Sequence, residues 1–188
     1  IPLILVSWGF HHSMIMVVVA FVLTLIYKNP KVYFAGWCFC LLVAAAHISF
    51  FQELFAGILS DTGDQHGAEY LTDNSDWGGK SGFRIDFVLY SAMPILVGYW
   101  AVYKKRLQLS KMYTCLLNLY MTLNGTWMLC IYASFTNRIA YLSWFLYPIV
   151  LIYPFLNENW GASRYKTLSK VVLAHLGFTL FMMFIYYA

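Results

Sequence analysis

The chain has 188 residues, of which 61% are hydrophobic, 20% aromatic and 11% charged, with a formal net charge of +4. Mean hydropathy is +0.65, whereas a soluble domain runs near ~45–50% apolar and ~25% charged. These values exclude a soluble cytosolic enzyme and also a disordered chain, which is poor in apolar residues. They leave room for one membrane domain, residues 1–188, without a sizeable soluble part.

A hydrocarbon core of ~30 Å takes about 20 apolar residues as helix. Leu3 to Tyr27 is such a run, ended by Lys28-Asn29-Pro30-Lys31. Val32 to Leu59 is a second, ended by the polar segment from Ser60. Ile85 to Tyr103 is a third, ended by Lys104-Lys105-Arg106, and Met112 to Tyr132 is a fourth. Ile139 to Leu156 is a fifth, short and broken by Pro148 and Pro154, and Leu168 to Ala188 is a sixth. Helices apolar all round for this length belong in a bilayer. The fold class expected is therefore all-α and polytopic, with about six transmembrane helices. Cys38, Cys40, Cys115 and Cys130 fall inside apolar runs and read as small core residues, not as a disulfide framework. The chain opens on Ile1 inside an apolar run with no visible signal peptide. The expectation is that an N-terminal part of the parent protein precedes it.

The loops set an orientation. Lys28, Lys31, Lys104, Lys105, Arg106, Lys111, Arg164, Lys166 and Lys170 follow spans one, three and five, and make nine of the 12 basic residues. The other side holds Lys80, Arg84 and Arg138. By the positive-inside rule the nine-basic side is cytoplasmic. The segment 60–83 then reads as a mobile outer loop, with five acids before its first base. Its Asp61-Thr62-Gly63-Asp64 lacks the ligand spacing of a calcium loop.

Ionisable groups inside spans are costly, so each marks a candidate site. His11 and His12 lie in the outer half of span one, His47 near the middle of span two, and Glu53 further out. Arg84 and Asp86 sit where the outer loop enters span three, and Asn137 and Arg138 where span five begins. Nearly all fall in the outer half of the membrane, on four spans. Each also has a structural reading. Arg138 could anchor at the interface, and His47 could be an interhelical hydrogen-bonder. Arg84 and Asp86 could be a surface ion pair, although an i,i+2 spacing argues against their facing each other on one helix. Glu53 is harder to dismiss, because an unpaired carboxylate in lipid is costly. His175, alone in the last span, reads as structural. Arginine at the rim of a membrane cavity suits phosphate oxygens, which its planar fork grips. A nearby histidine or carboxylate could take a proton from an attacking hydroxyl.

The stretch Gly82-Phe83-Arg84-Ile85-Asp86-Phe87-Val88-Leu89-Tyr90-Ser91, followed by Pro94 and Gly98-Tyr99, resembles the EpsG family of membrane polysaccharide polymerases. So do Asn118-Leu119-Tyr120 with Asn124 and Trp127, and Asn137-Arg138-Ile139-Ala140-Tyr141-Leu142-Ser143-Trp144-Phe145 with Pro148 and Tyr153-Pro154. Phe10-His11-His12-Ser13 is similar to the family's His-containing helix start. The likeness covers nearly the whole chain and is to the C-terminal portion of longer members.

The resemblance implies a Wzy-like O-antigen or capsule polymerase of the inner membrane. Its substrates would be oligosaccharides on a polyprenyl diphosphate, donor and acceptor alike, met at the outer face. It implies Arg84 and Arg138 for the diphosphate, His12 or His11 as base, and Asp86 to orient Arg84 or the acceptor sugar. Asn137, Tyr141, Trp144, Glu53 and His47 are further substrate-binding candidates, though Trp127, Tyr141 and Trp144 fit interface anchoring equally. No metal or other cofactor is expected, and no nucleic acid. Membrane lipid is the expected surrounding partner, and a chain-length regulator is a further candidate. The rivals are a membrane acyltransferase acting on surface glycans, a lipid-linked sugar flippase, and a non-catalytic membrane subunit.

Overall fold

The structure, a computed structural model, describes residues 14–61, 65–72, 82–133 and 136–187. Its described residues form helices and no strand: α1 Met14–Ile26, α2 Pro30–Ala45, α3 Phe50–Asp61, α4 Gln65–Thr72, α5 Ile85–Tyr99, α6 Lys111–Leu129, α7 Thr136–Trp144, α8 Tyr147–Asn157 and α9 Arg164–Tyr187. α5 continues through a π-helical turn, Trp100–Lys104. Three runs are long and apolar enough to cross a bilayer: Ile85–Lys104, Thr136–Asn157 and Arg164–Ile185. They coincide with the third, fifth and sixth expected spans. α2 and α3 together would make a fourth, but they are bent by 102°.

α6 is the axis of the bundle and packs against α1, α2, α5, α7 and α8. Ser110 starts it. Its Oγ accepts from the Tyr113 N–H at 3.2 Å, the standard N-cap contact. The same Ser110 donates its N–H and hydroxyl to the buried Glu158 carboxylate, which places a negative charge at the positive end of the α6 dipole. Asn118 and Asn124 are fully buried in α6. The Trp37 Nε1–H donates to Asn124 Oδ1 at 2.8 Å, and Asn124 Nδ2 donates to Ser143 Oγ at 3.3 Å. One amide side chain thus joins α2, α6 and α7. A Cβ at Gly98 would lie 2.6 Å from Leu117 Cδ1, so α5 and α6 approach closely only because that position is glycine.

The basic loops gather at one end. Lys31 Nζ lies 5.6 Å over the Tyr103 ring, Trp100 meets Trp160 edge-on at 5.1 Å, and the Ser110–Glu158 contact closes the set. α2 starts there with Asn29 capping the Lys31 N–H and Pro30 in the first turn.

The expected second span is broken at the opposite end. His47 takes φ +57, in the left-handed region. The Ile48 N–H bonds Val43 O and the His47 N–H bonds Ala44 O, the paired contacts of a Schellman helix stop. Tyr132 donates its hydroxyl to Ala44 O at 2.6 Å and stacks on the His47 ring at 4.9 Å, which holds the corner against the end of α6. The segment 60–83, expected to be a loop, contains the last residues of α3 and all of α4. Both pack on the turn after α6 through Ala56, Leu71, Cys130 and Ala133.

Asn124→Leu should cost about 1–2 kcal/mol, because it removes the acceptor of the Trp37 N–H that links two helices. Reversible unfolding of the purified protein in mixed detergent checks this. Unchanged stability would show that the three-helix link contributes nothing.

Candidate functional site

The site end is the one opposite the basic loops. Arg84 occupies the N-cap position of α5 with extended backbone, φ −108 and ψ 102. It therefore does not follow the helical wheel, and the i,i+2 argument against pairing fails. The guanidinium engages Asp86 in a bidentate ion pair, Nη2 to Oδ2 and Nε to Oδ1 at 3.3 Å. Its central carbon lies 4.2 Å above the Phe87 ring centroid. Asp86, in the first turn of α5, also faces the positive end of that helix dipole. The pair leaves Arg84 fixed on two sides, by a carboxylate and by a ring.

Trp144, the last residue of α7, collects the neighbouring rings. It lies 5.5 Å from Phe87, 5.6 Å from Tyr90, 5.9 Å from Trp127 and 5.9 Å from Tyr141. A continuous ring surface thus runs from Arg84 through Phe87 and Trp144 to Tyr141. The indole N–H groups of Trp127 and Trp144 are buried without a hydrogen-bond partner among the described residues. Deeper in the bundle Tyr90 stacks on Tyr147 at 4.7 Å, and the Tyr147 hydroxyl meets His175 Nδ1 at 3.1 Å. His175 therefore ties α9 to α8, in keeping with its structural reading.

α7 is amphipathic across this surface. Ala140 and Ser143 face the core, while Asn137, Arg138 and Tyr141 are exposed on the other side. Arg138 precedes Tyr141 by three residues and so shares its helix face. The described structure thus joins Arg84, Asp86, Trp144 and Tyr141 by direct contacts, with Asn137 and Arg138 one turn away along α7. His47 and Glu53 belong to the same end but to the α2–α3 corner. The Glu53 carboxylate is exposed and accepts from Ser49 Oγ at 2.8 Å, so it has a hydrogen-bond partner at the corner. His11 and His12 lie outside the described residues.

Phe87 and Tyr90 were not singled out from sequence. Both occur in the α5 motif, but only their meeting with Trp144 shows that they line the surface. Among the described residues no three His, Cys, Asp or Glu side chains are grouped to hold a metal ion.

The rings around Trp144 and its unbonded N–H make separate demands. Trp144→Phe should keep the ring contacts and hold stability within about 1 kcal/mol. Trp144→Ala should lose roughly 3 kcal/mol by opening a void. Detergent unfolding of both variants measures the difference, and equal losses would mean that the ring packing is not what Trp144 supplies.

No curated protein and no solved structure matches the chain at a significant level. The family model described as the EpsG family matches residues 1–188, the whole sequence given. With all-helical architecture and membrane-crossing helices already established, this chain belongs to the EpsG family, a family of Wzy-like polysaccharide polymerases.

Proposed function

We propose that this protein polymerises polysaccharide repeat units, transferring a growing chain between polyprenyl-diphosphate-linked oligosaccharides at the outer face of the inner membrane. The observation that carries the reading is the Arg84–Asp86 pair beside the Phe87–Trp144–Tyr141 ring surface, in a chain of this family. A hydroxyl oxygen of the acceptor sugar attacks the anomeric carbon of the donor. The bond from that carbon to the diphosphate breaks, and the polyprenyl diphosphate leaves with the electron pair. The hydroxyl proton passes to a base, for which His12, or His11 on the alternative helix face, is the candidate.

Arg84 and Arg138 supply fixed positive charge to the leaving diphosphate, where preorganised cations lower the barrier most. Asp86 holds Arg84 in its forked orientation, so little reorganisation is needed when charge develops. Tyr141 and Trp144 offer flat apolar faces against which sugar rings pack, and Asn137 offers an amide for sugar hydroxyls. His47 and Glu53 at the α2–α3 corner are candidates for more distant sugar contacts. The surface polymers that would result are of the O-antigen or capsule kind.

Two measurements test this. In a strain lacking the native gene, the wild-type chain should restore long surface polymer on a gel. Arg138→Ala should leave single repeat units, with a loss of ~100-fold or more in transfer rate. Arg138→Lys should stay defective, because it keeps charge but not the planar fork. Full-length polymer from Arg138→Ala, at matched membrane levels, would reduce this residue to a lipid anchor. The orientation is tested separately with an impermeant thiol reagent on intact cells, in a background without the native cysteines. A cysteine at His66 should be labelled and one at Gln108 should not, and the reverse pattern would invert the topology.

A further inference from the structure

α3 leaves α2 at 102°, close to a right angle, at the end of the bundle that carries Arg84. A helix that turns so sharply there cannot prolong the span. Phe50, Leu54 and Ile58 lie on one side of it at i, i+4 and i+8, and all three are exposed. Gln52 and Ala56 are buried on the other side, where Gln52 Nε2 donates to Leu71 O of α4. Of the exposed polar residues, Glu53 and Ser60 fall along one edge, and Asp61, the last residue of the helix, ends the stripe on its own face. α4, packed behind α3, turns Gln65, His66 and Glu69 outward.

The stripe continues an exposed apolar surface of α2. Phe39 of α2 is exposed and meets Phe51 edge-on at 6.1 Å, and Phe51 meets Phe50 at 5.4 Å. Leu42 and Ile48 are exposed between them. Exposed apolar residues of α2 are therefore followed around the corner by those of α3, with His47 and Ser49 also exposed at the corner itself. α3 carries no Lys or Arg, so attraction to anionic headgroups does not hold it, and apolar burial must.

We infer that α3 is an in-plane interfacial helix whose Phe50–Leu54–Ile58 stripe is seated on the acyl chains of the outer leaflet, with α4 above it on the water side. The inference is independent of the proposed reaction, while the leaflet it names rests on the orientation proposed above. It makes the α2–α3 corner a shelf at the membrane surface, level with the Arg84 end of the bundle.

Spin labels at Phe50→Cys, Leu54→Cys and Ile58→Cys, with the four native cysteines replaced by Ala, read depth in vesicles of phosphatidylethanolamine and phosphatidylglycerol. The three labels should report one depth, with oxygen collisions favoured over a soluble nickel chelate, while a label at His66 favours nickel. A helix continuing across the bilayer would step ~6 Å per four residues, and such a ladder overturns the inference. Nickel access at Leu54 and Ile58 equal to that at His66 overturns it as well. In the otherwise native chain, Leu54→Lys should keep the inserted protein within about twofold of wild type, since a boundary lysine snorkels to water. A tenfold fall in inserted protein would place α3 in the hydrocarbon core and refute the in-plane position.

Discussion

Asn124 is the point on which the arrangement of the bundle turns. Lipid tails are as apolar as leucine, so burying apolar side chains does not by itself choose one helix rotation over another inside a bilayer. A polar group that must find a partner does choose. Asn124 accepts from Trp37 and donates to Ser143, so one side chain sets the facing of α2 and α7 against α6. Ser143 in turn donates to Ala140 O within α7. With Ser143 and Ala140 committed inward, the opposite face of α7 must carry Arg138 and Tyr141, and its C-terminal residue Trp144 falls against Phe87. The candidate site thus follows from a hydrogen bond at Ser143, the residue just before Trp144.

The ends of the bundle show how the same rule acts on charge. Glu158, the single acid among the basic loops, is buried and satisfied by two donors of Ser110. Arg84 is satisfied by Asp86 at the other end. Both carboxylates have hydrogen-bond partners nearby, and both contacts lie at the start of a helix. The difference lies in exposure. The Glu158 contact is closed into the protein, whereas Arg84 and Asp86 keep about a quarter of their side-chain surface open, 27% and 26%. An ion pair that is preorganised yet reachable can exchange partners with an anionic ligand at modest cost, which Glu158 cannot do.

Much of this was legible from residues alone. The apolar runs and their Lys-rich ends follow from local chemistry, and the third, fifth and sixth runs coincide with helices long and apolar enough to cross a bilayer. The corner after α2 was not legible. A left-handed helix stop is usually signalled by Gly or Asn, and here the position is His47, a residue that the αL region tolerates only at a cost of about 1–2 kcal/mol. Tyr132, some 85 positions later in the chain, helps to hold it there. α4 was hidden because Gln65–Thr72 is only 8 residues long and poor in apolar residues, and it packs against α3. The Arg84–Asp86 pair was misjudged because helical spacing was applied to a residue just outside the helix. Phe87, Tyr90, Trp127 and Trp144 could each be seen as aromatic, but their meeting depends on the rotation that Asn124 imposes.

The α2–α3 corner connects these points. If span two had run straight to Leu59, Glu53 would be a carboxylate in hydrocarbon and a strong functional candidate by cost alone. Once the chain turns at His47 that cost no longer follows from place in a straight span, and Glu53 has Ser49 as a hydrogen-bond partner. The argument from expense therefore weakens for Glu53 and also for His47, which the turn itself employs. It holds for Arg84, whose position at the head of a true span is fixed by α5. Expense in the membrane identifies functional residues only after the path of the backbone is known, and here that path makes it weigh most for Arg84 and Asp86 at the head of α5.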